Sequence, residues 1–155
     1  MIRCACKEDI ESILRLLVQV NMVHHAARPD LFKGPATKYS PQELERMLDD
    51  PQNPVFVYED EAGRMAGYIF CQSVRVRETA LRTGIMTLYI DDLCVDEEAR
   101  GKHVGEALYR YVLNYASARG YYNVTLHVWE GNDGARRFYD KMGMKTQYTC
   151  LEQIL

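Results

Sequence analysis

The stretch Ile85-Met-Thr-Leu-Tyr-Ile90-Asp-Asp-Leu-Cys-Val95-Asp-Glu-Glu-Ala-Arg100-Gly-Lys-His-Val-Gly105-Glu-Ala-Leu108 decides how the chain folds. Ile85–Val95 is rich in apolar and β-branched residues and reads as the longest strand. Asp96–Lys102 is charged and loop-like. Val104–Arg119 then carries apolar residues at 104, 107, 108, 111, 112 and 115, a helical stripe that Gly120 closes. A long strand feeding a helix through a short loop points to an α/β domain.

The flanks extend this pattern. Ile2–Cys6 reads as a first strand, and Glu8–Val23 as a helix with apolar residues at 10, 13, 14, 17 and 20. A loop, His24–Tyr39, contains Pro29, Gly34 and Pro35. Ser40-Pro41-Gln42-Glu43 is a helix start, with Ser40 as cap, Pro41 in the first helical position and Glu43 completing a capping box. That helix is predicted to end near Asp50. Val55–Glu59 and Met65–Arg77 form a hairpin around Asp60-Glu61-Ala62-Gly63, and Glu78–Gly84 is a polar connection. Beyond the central unit come a strand at Asn123–Trp129, a helix at Asp133–Met142 closed by Gly143, and a last strand at Thr146–Leu155. The order β-α-α-β-β-β-α-β-α-β predicts a single domain over residues 1–155, a mixed sheet with helices on both faces.

The 155 residues, 47% hydrophobic and 26% charged, suit one globular domain. Lys and Arg total 19 against 22 Asp and Glu, a net charge of −3 with no basic stripe, which argues against nucleic-acid binding. No apolar run approaches the roughly 20 residues that span a bilayer, and the start is too polar for a secretory signal, so a cytoplasmic location without membrane contact is expected. The five cysteines are dispersed and lack a C-x-x-C pair; they are expected to be reduced and mostly buried. His24-His25 has no further ligand cluster, so no metal is expected.

The loop carries the chemistry. A helix N-terminus exposes about four unpaired N–H groups at the positive end of its dipole, and glycines let such a backbone approach a phosphate. Arg100 and Lys102 add charge. This is a diphosphate cradle in physical terms, although neither the P-loop nor the dinucleotide-turn spacing is present; the alternative is an exposed turn with solvated charges.

Arg100-Gly-Lys-His-Val-Gly105 resembles the Q/R-x-x-G-x-G/A signature of the GNAT (GCN5-related N-acetyltransferase) family. Ile90–Val95 looks like the family's fourth strand. Leu126-His-Val-Trp-Glu-Gly-Asn132-Asp-Gly-Ala135-Arg-Arg-Phe138-Tyr139-Asp-Lys-Met-Gly143 is similar to its fifth strand and following helix, and Ile2–Ile10 to its opening. The resemblance covers nearly the whole chain and is specific from about residue 86 to 144. It implies a mostly antiparallel sheet of six to seven strands, splayed between the fourth and fifth. The activity it implies is transfer of acetyl from acetyl-CoA to a primary amine, by direct attack in a ternary complex. The acceptor classes it leaves open are a polyamine-like metabolite, an aminoglycoside, an amino acid, and a protein N-terminus or lysine.

The resemblance also assigns residues. Backbone groups of Leu93, Cys94 and Val95 would pair with pantetheine amides, as an added strand pairs with a sheet edge. Arg100, Gly101, Lys102, His103, Val104, Gly105 and Glu106 would hold the diphosphate, with Asn132 on the cofactor arm. His103 stands where the family usually has Gly; it keeps the N–H, adds a Cβ, and when protonated could attract the diphosphate. Tyr139 is the implied general acid. Asp91 and Asp92 are the candidate bases; regular strand geometry lets only one of them face the cleft, and the resemblance favours Asp91. Cys94 lacks a base at motif spacing and is a poor nucleophile. The loop after the first helix, with His24, His25, Arg28, Asp30 and Phe32, is the expected acceptor wall. A homodimer through the C-terminal strands is a further suggestion of the family. The competing reading is a non-catalytic CoA-binding module of the same fold.

Overall fold

The computed structural model describes residues 1–155. Its sheet has five strands in the order β1-β2-β3-β4-β5: β1 (Ile2–Cys4), β2 (Val55–Glu59), β3 (Met65–Val76), β4 (Ile85–Val95) and β5 (Asn123–Thr125). Pairing is antiparallel except between β4 and β5, which are parallel. The helices are α1 (Ile10–Ala27), α2 (Pro41–Leu48), α3 (Val104–Ala118) and α4 (Asp133–Lys141). No helix is long and apolar enough to cross a membrane.

Alternation along β3 builds a core on each face. Ile69 and Cys71 point to α3 and meet Leu108 and Val112; Tyr68 and Phe70 point to α1 and α2 and meet Ile13, Leu17 and Leu44. At Gly67 an added Cβ would lie 2.7 Å from the Cys94 carbonyl oxygen of β4, and 3.2 and 3.3 Å from Val104 and Leu108 of α3.

Local signals set the helix ends. At Ser40 the capping box forms as expected: the Glu43 N–H donates to Ser40 Oγ (3.3 Å) and the Ser40 N–H to Glu43 Oε2 (2.7 Å). Tyr39 and Leu44, on either side of that cap, pack in the same core, as a hydrophobic staple does. Gly120, at φ 73°, ends α3 with Tyr121 N–H bonded to Ala116 O and Gly120 N–H to Ser117 O.

Three expectations are corrected. α1 runs on to Ala27, so His24 and His25 belong to its last turn; the helix stops where Pro29 disfavours helical backbone at Arg28, which adopts φ −141°, ψ 73°. The sheet has five strands, not six or seven: β5 pairs only with Thr87–Tyr89, and neither residues 126–129 nor 146–155 join a ladder. A strand exists only with a neighbour, and this chain offers the tail none; Tyr148, Leu151 and Ile154 stay exposed. Finally, all five cysteines are free but only Cys71 and Cys94 are buried.

Candidate active site

The β3–β4 register changes between Phe70 and Cys71. Phe70 pairs with Asp92 and Cys71 with Ile90, so Asp91 is an extra residue on β4, a β-bulge. Its effect on the side chains follows from alternation. Ile90 faces α3 and Asp92, opposite Phe70, faces α1 and α2; the extra residue puts Asp91 on that same face. The contacts agree, since Asp91 is bonded by Tyr39 and Asp92 by Tyr68. Both acids therefore share one face, where a regular strand would allow only one of them to do so.

The two carboxylates have different surroundings. Lys38 Nζ donates to both oxygens of Asp91 at 2.7 Å and Tyr39 Oη donates to Oδ2 at 2.6 Å. Asp92 accepts from Tyr68 Oη at 2.8 Å. Burial pushes its carboxyl up to about 6, against the opposing effect of that hydrogen bond. Tyr139, on α4, packs edge-on against Phe138 (centroids 5.0 Å apart) and Tyr109 (5.9 Å). Its phenol is held above the ordinary range, first by burial and then by the charge of Asp92.

β4 leads from these acids into the glycine loop. Asp96 caps the turn by accepting from the Glu98 N–H (3.1 Å), and Arg15 pairs with it. Gly101 has φ 75° and His103 φ 61°, ψ 14°, the one non-glycine residue with positive φ. This left-handed turn swings the backbone into α3. Gly105 lets the first turn of α3 lie against Val95 and Phe138, at 3.4 and 3.6 Å from an added Cβ. Arg100 is engaged with Val95 O and Glu97, and Glu106 with Arg110 and His103. Val104 is buried in the core. Beyond Tyr89, β4 has no paired neighbour on its β5 side, so the edge at Leu93–Val95 is open there.

The left-handed residue explains why a glycine suits position 103. An L-residue there is strained by roughly 1–2 kcal/mol, although His tolerates it better than most. Glycine relieves the strain but restores about 0.4–1 kcal/mol of unfolded-chain freedom. His103→Gly should therefore be neutral to about 1 kcal/mol more stable, and His103→Val clearly less stable. Urea midpoints at unchanged slope report both; a glycine variant destabilised like the valine one contradicts the strain argument.

Asn132 caps α4, its Oδ1 accepting from the Ala135 N–H at 3.2 Å. At the end of α1, His24 stacks on Phe32 (5.2 Å), which meets Trp129 edge-on (5.3 Å), and His25 Nδ1 lies 2.7 Å from Phe32 O. His24 Nδ1 is buried without a hydrogen-bond partner; burial and then Lys38 lower its basicity. Arg28 grips Asp30 through two bonds and also pairs with Glu152 of the tail, so those two expected wall residues are occupied with each other. The Cys94 thiol, pushed up to about 12 by burial, donates to Leu16 O and is no nucleophile.

Lys38, Tyr39 and Tyr68 are the site residues that sequence reasoning missed. Tyr39 had a signal, an aromatic just before the helix cap, and Tyr68 lies within the apolar run of β3. Lys38 lies in a loop with no periodicity.

Known proteins share this fold. The family model described as Acetyltransferase (GNAT) family matches residues 20–144. A mutant of the BH1408 protein from Bacillus halodurans has the same structure at a TM-score of 0.96, with 30% identity over 100% of this chain and 99% of that one. YwnH of Bacillus subtilis (strain 168), a candidate phosphinothricin acetyltransferase, is 29% identical over 90 residues, 58% of this chain; the match spans about half the length of that relative, 52%. Glucosamine-6-phosphate N-acetyltransferase from Arabidopsis thaliana shares the fold, with a TM-score of 0.72 and 20% identity over 99% of this chain and 97% of that one. With the family model matching most of its length, the chain belongs to the acetyltransferase (GNAT) family.

Proposed function

We propose that this acetyltransferase is an N-acetyltransferase that acetylates a primary amine directly from acetyl-CoA. The observation that carries the reading is the bulge at Asp91, which sets two carboxylates side by side on one face of β4, just ahead of a helix N-terminus shaped to hold an anion.

The residues fit acetyl-CoA. Gly101 and His103 turn the backbone so that the N–H groups opening α3 are free for a diphosphate, and Gly105 leaves the first turn of α3 without a side chain. The open edge of Leu93–Val95 offers backbone groups to the amides of the cofactor arm. Asn132, which caps α4, is assigned to that arm as well.

Acetyl-CoA supplies the activated acyl group; the chain supplies proton management. Asp91 seats the ammonium of the acceptor. Asp92 is ionised above pH of about 6 yet closer in proton affinity to an amine than an ordinary carboxylate, so it accepts the proton. Tyr139 Oη gives a proton to the departing thiolate. Its raised proton affinity keeps the phenol protonated at neutral pH. His24, Phe32 and Trp129 form an aromatic wall for the acceptor. Phosphinothricin and glucosamine-6-phosphate, named for two similar proteins, are both primary amines, which supports the acceptor class.

Two measurements test this. Free-thiol release from acetyl-CoA across a panel of primary amines should show turnover; CoA binding without turnover of any amine would favour the non-catalytic module. Calorimetric titration of Gly105→Trp and Gly101→Val should show acetyl-CoA affinity reduced more than tenfold, about 1.4 kcal/mol or more. The first crowds Val95 and Phe138; the second strains a backbone at φ 75° with open space around it. Unaltered affinity in both, with both folded, removes the loop from the cofactor site.

A further inference from the structure

Lys38 belongs to no strand or helix, yet its Nζ holds both oxygens of Asp91. The segment that carries it is fastened at each end. Asn21 Nδ2 donates to the carbonyls of Lys33 and Gly34 at 3.1 and 2.8 Å, which fixes the start. Tyr39 bonds Asp91 and stacks on Phe70 at 5.7 Å, and the capping box of α2 follows at once. Asp91 is itself secluded, with its side chain only 10% exposed against 49% for Lys38. A secluded carboxylate needs a cation, and here the cation is a primary amine arriving from solvent on a flexible stem.

An acceptor ammonium that binds Asp91 must take the place that Lys38 Nζ holds. Resting on the N-acetyltransferase reading of the site, we propose that Lys38 is a self-acetylation site, an acceptor amine carried by the chain itself. Acetyl-CoA is the co-reactant. The Nζ ammonium gives one proton to the carboxylate pair, and from there it passes to solvent. The neutral Nζ forms a bond to the acetyl carbonyl carbon, the carbon–sulfur bond breaks, and the thiolate takes a proton from Tyr139. The second Nζ proton, lost as the amide forms, restores the phenol through solvent. The products are N-acetyl-lysine at position 38, free CoA and one released proton. The amide carries no charge, so it no longer holds Asp91, and the seat opens to an external amine.

The test compares two acetyl donors on the intact wild-type protein, with site occupancy read by peptide mass spectrometry. With isotopically labelled acetyl-CoA and no acceptor, Lys38 should be acetylated ahead of the exposed Lys33 and Lys145, at a rate unchanged by diluting the protein. With trace acetic anhydride, which needs no site, the order should invert. Lys38 should react behind them, because its Nζ is engaged by both oxygens of the secluded Asp91 while Lys33 and Lys145 stand exposed. The same ranking with both donors, or an acetyl-CoA rate that falls on dilution, overturns the inference. In Asp91→Asn the preference for Lys38 with acetyl-CoA should vanish and its anhydride reactivity should rise; a persisting preference also overturns it. Free-thiol release with the amine panel, on the same preparation, separates this failure from the other. Turnover of amines with Lys38 unmodified removes self-acetylation and leaves the N-acetyltransferase reading; absence of both removes both.

Discussion

Asp92→Asn should cut kcat/KM by roughly 10²–10⁴-fold at neutral pH while making the fold more stable. The two effects have one cause. Burial raises the Asp92 carboxyl from 3.8 to about 6, so the native state holds its proton where the unfolded chain has released it. By linkage, this group makes the wild-type protein lose stability as pH rises from about 4 to about 6, and the penalty persists above that window. At 1.36 kcal/mol per pH unit, it amounts to as much as about 2–3 kcal/mol. Asparagine is neutral at every pH and still accepts from Tyr68 Oη, so the variant avoids the penalty. Thermal melts at pH 4 and pH 8 should therefore show the variant's advantage mainly at pH 8, and the rise of wild-type kcat/KM through pH of about 6 should lose that inflection. A variant that is less stable at pH 8 would mean that Asp92 is a structural anion and not a displaced base. Asp91→Asn is the companion measurement. If it alone abolishes turnover, the proton acceptor is Asp91.

Tyr139→Phe should lower kcat by roughly 10²–10⁴-fold and leave the acetyl-CoA dissociation constant nearly unchanged. The ring packs edge-on against Phe138 and Tyr109, and phenylalanine keeps those contacts. Only the hydroxyl goes, and with it the proton for the leaving sulfur. Single-turnover measurements with a good acceptor isolate the chemical step. Normal turnover there would make simple positioning of a free amine the source of the rate.

Much of the fold was legible because local chemistry declares itself. The Ser40–Glu43 box, Gly120 and Gly143 mark helix ends through hydrogen bonds and φ values that few other residues satisfy. The overrun of α1 through His24–Ala27 was not legible, since the apolar stripe fades there and helix continues until Pro29 forbids it. The strand-like composition of Thr146–Leu155 describes a segment that could pair, and pairing needs a partner that composition cannot supply. In the candidate site, the turn into α3 could be placed from its glycines. The bulge could not, although two adjacent acids within Ile90–Leu93 hint at it, where alternation would set an apolar residue beside each polar one. Lys38 reaches Asp91 across 53 positions of sequence, and no periodic signal links them.

The bulge has an evolutionary consequence. On both sides of Asp91 the hairpin is regular, and every residue from Asp92 to Val95 already faces the side dictated by its β3 partner. A gene lacking codon 91 would encode an unbroken hairpin with the same interior. The architecture can thus dispense with this residue, whereas a paired acid site cannot exist without it. Gain or loss of a single codon there would make or unmake the acid pair without passing through an unfolded ancestor.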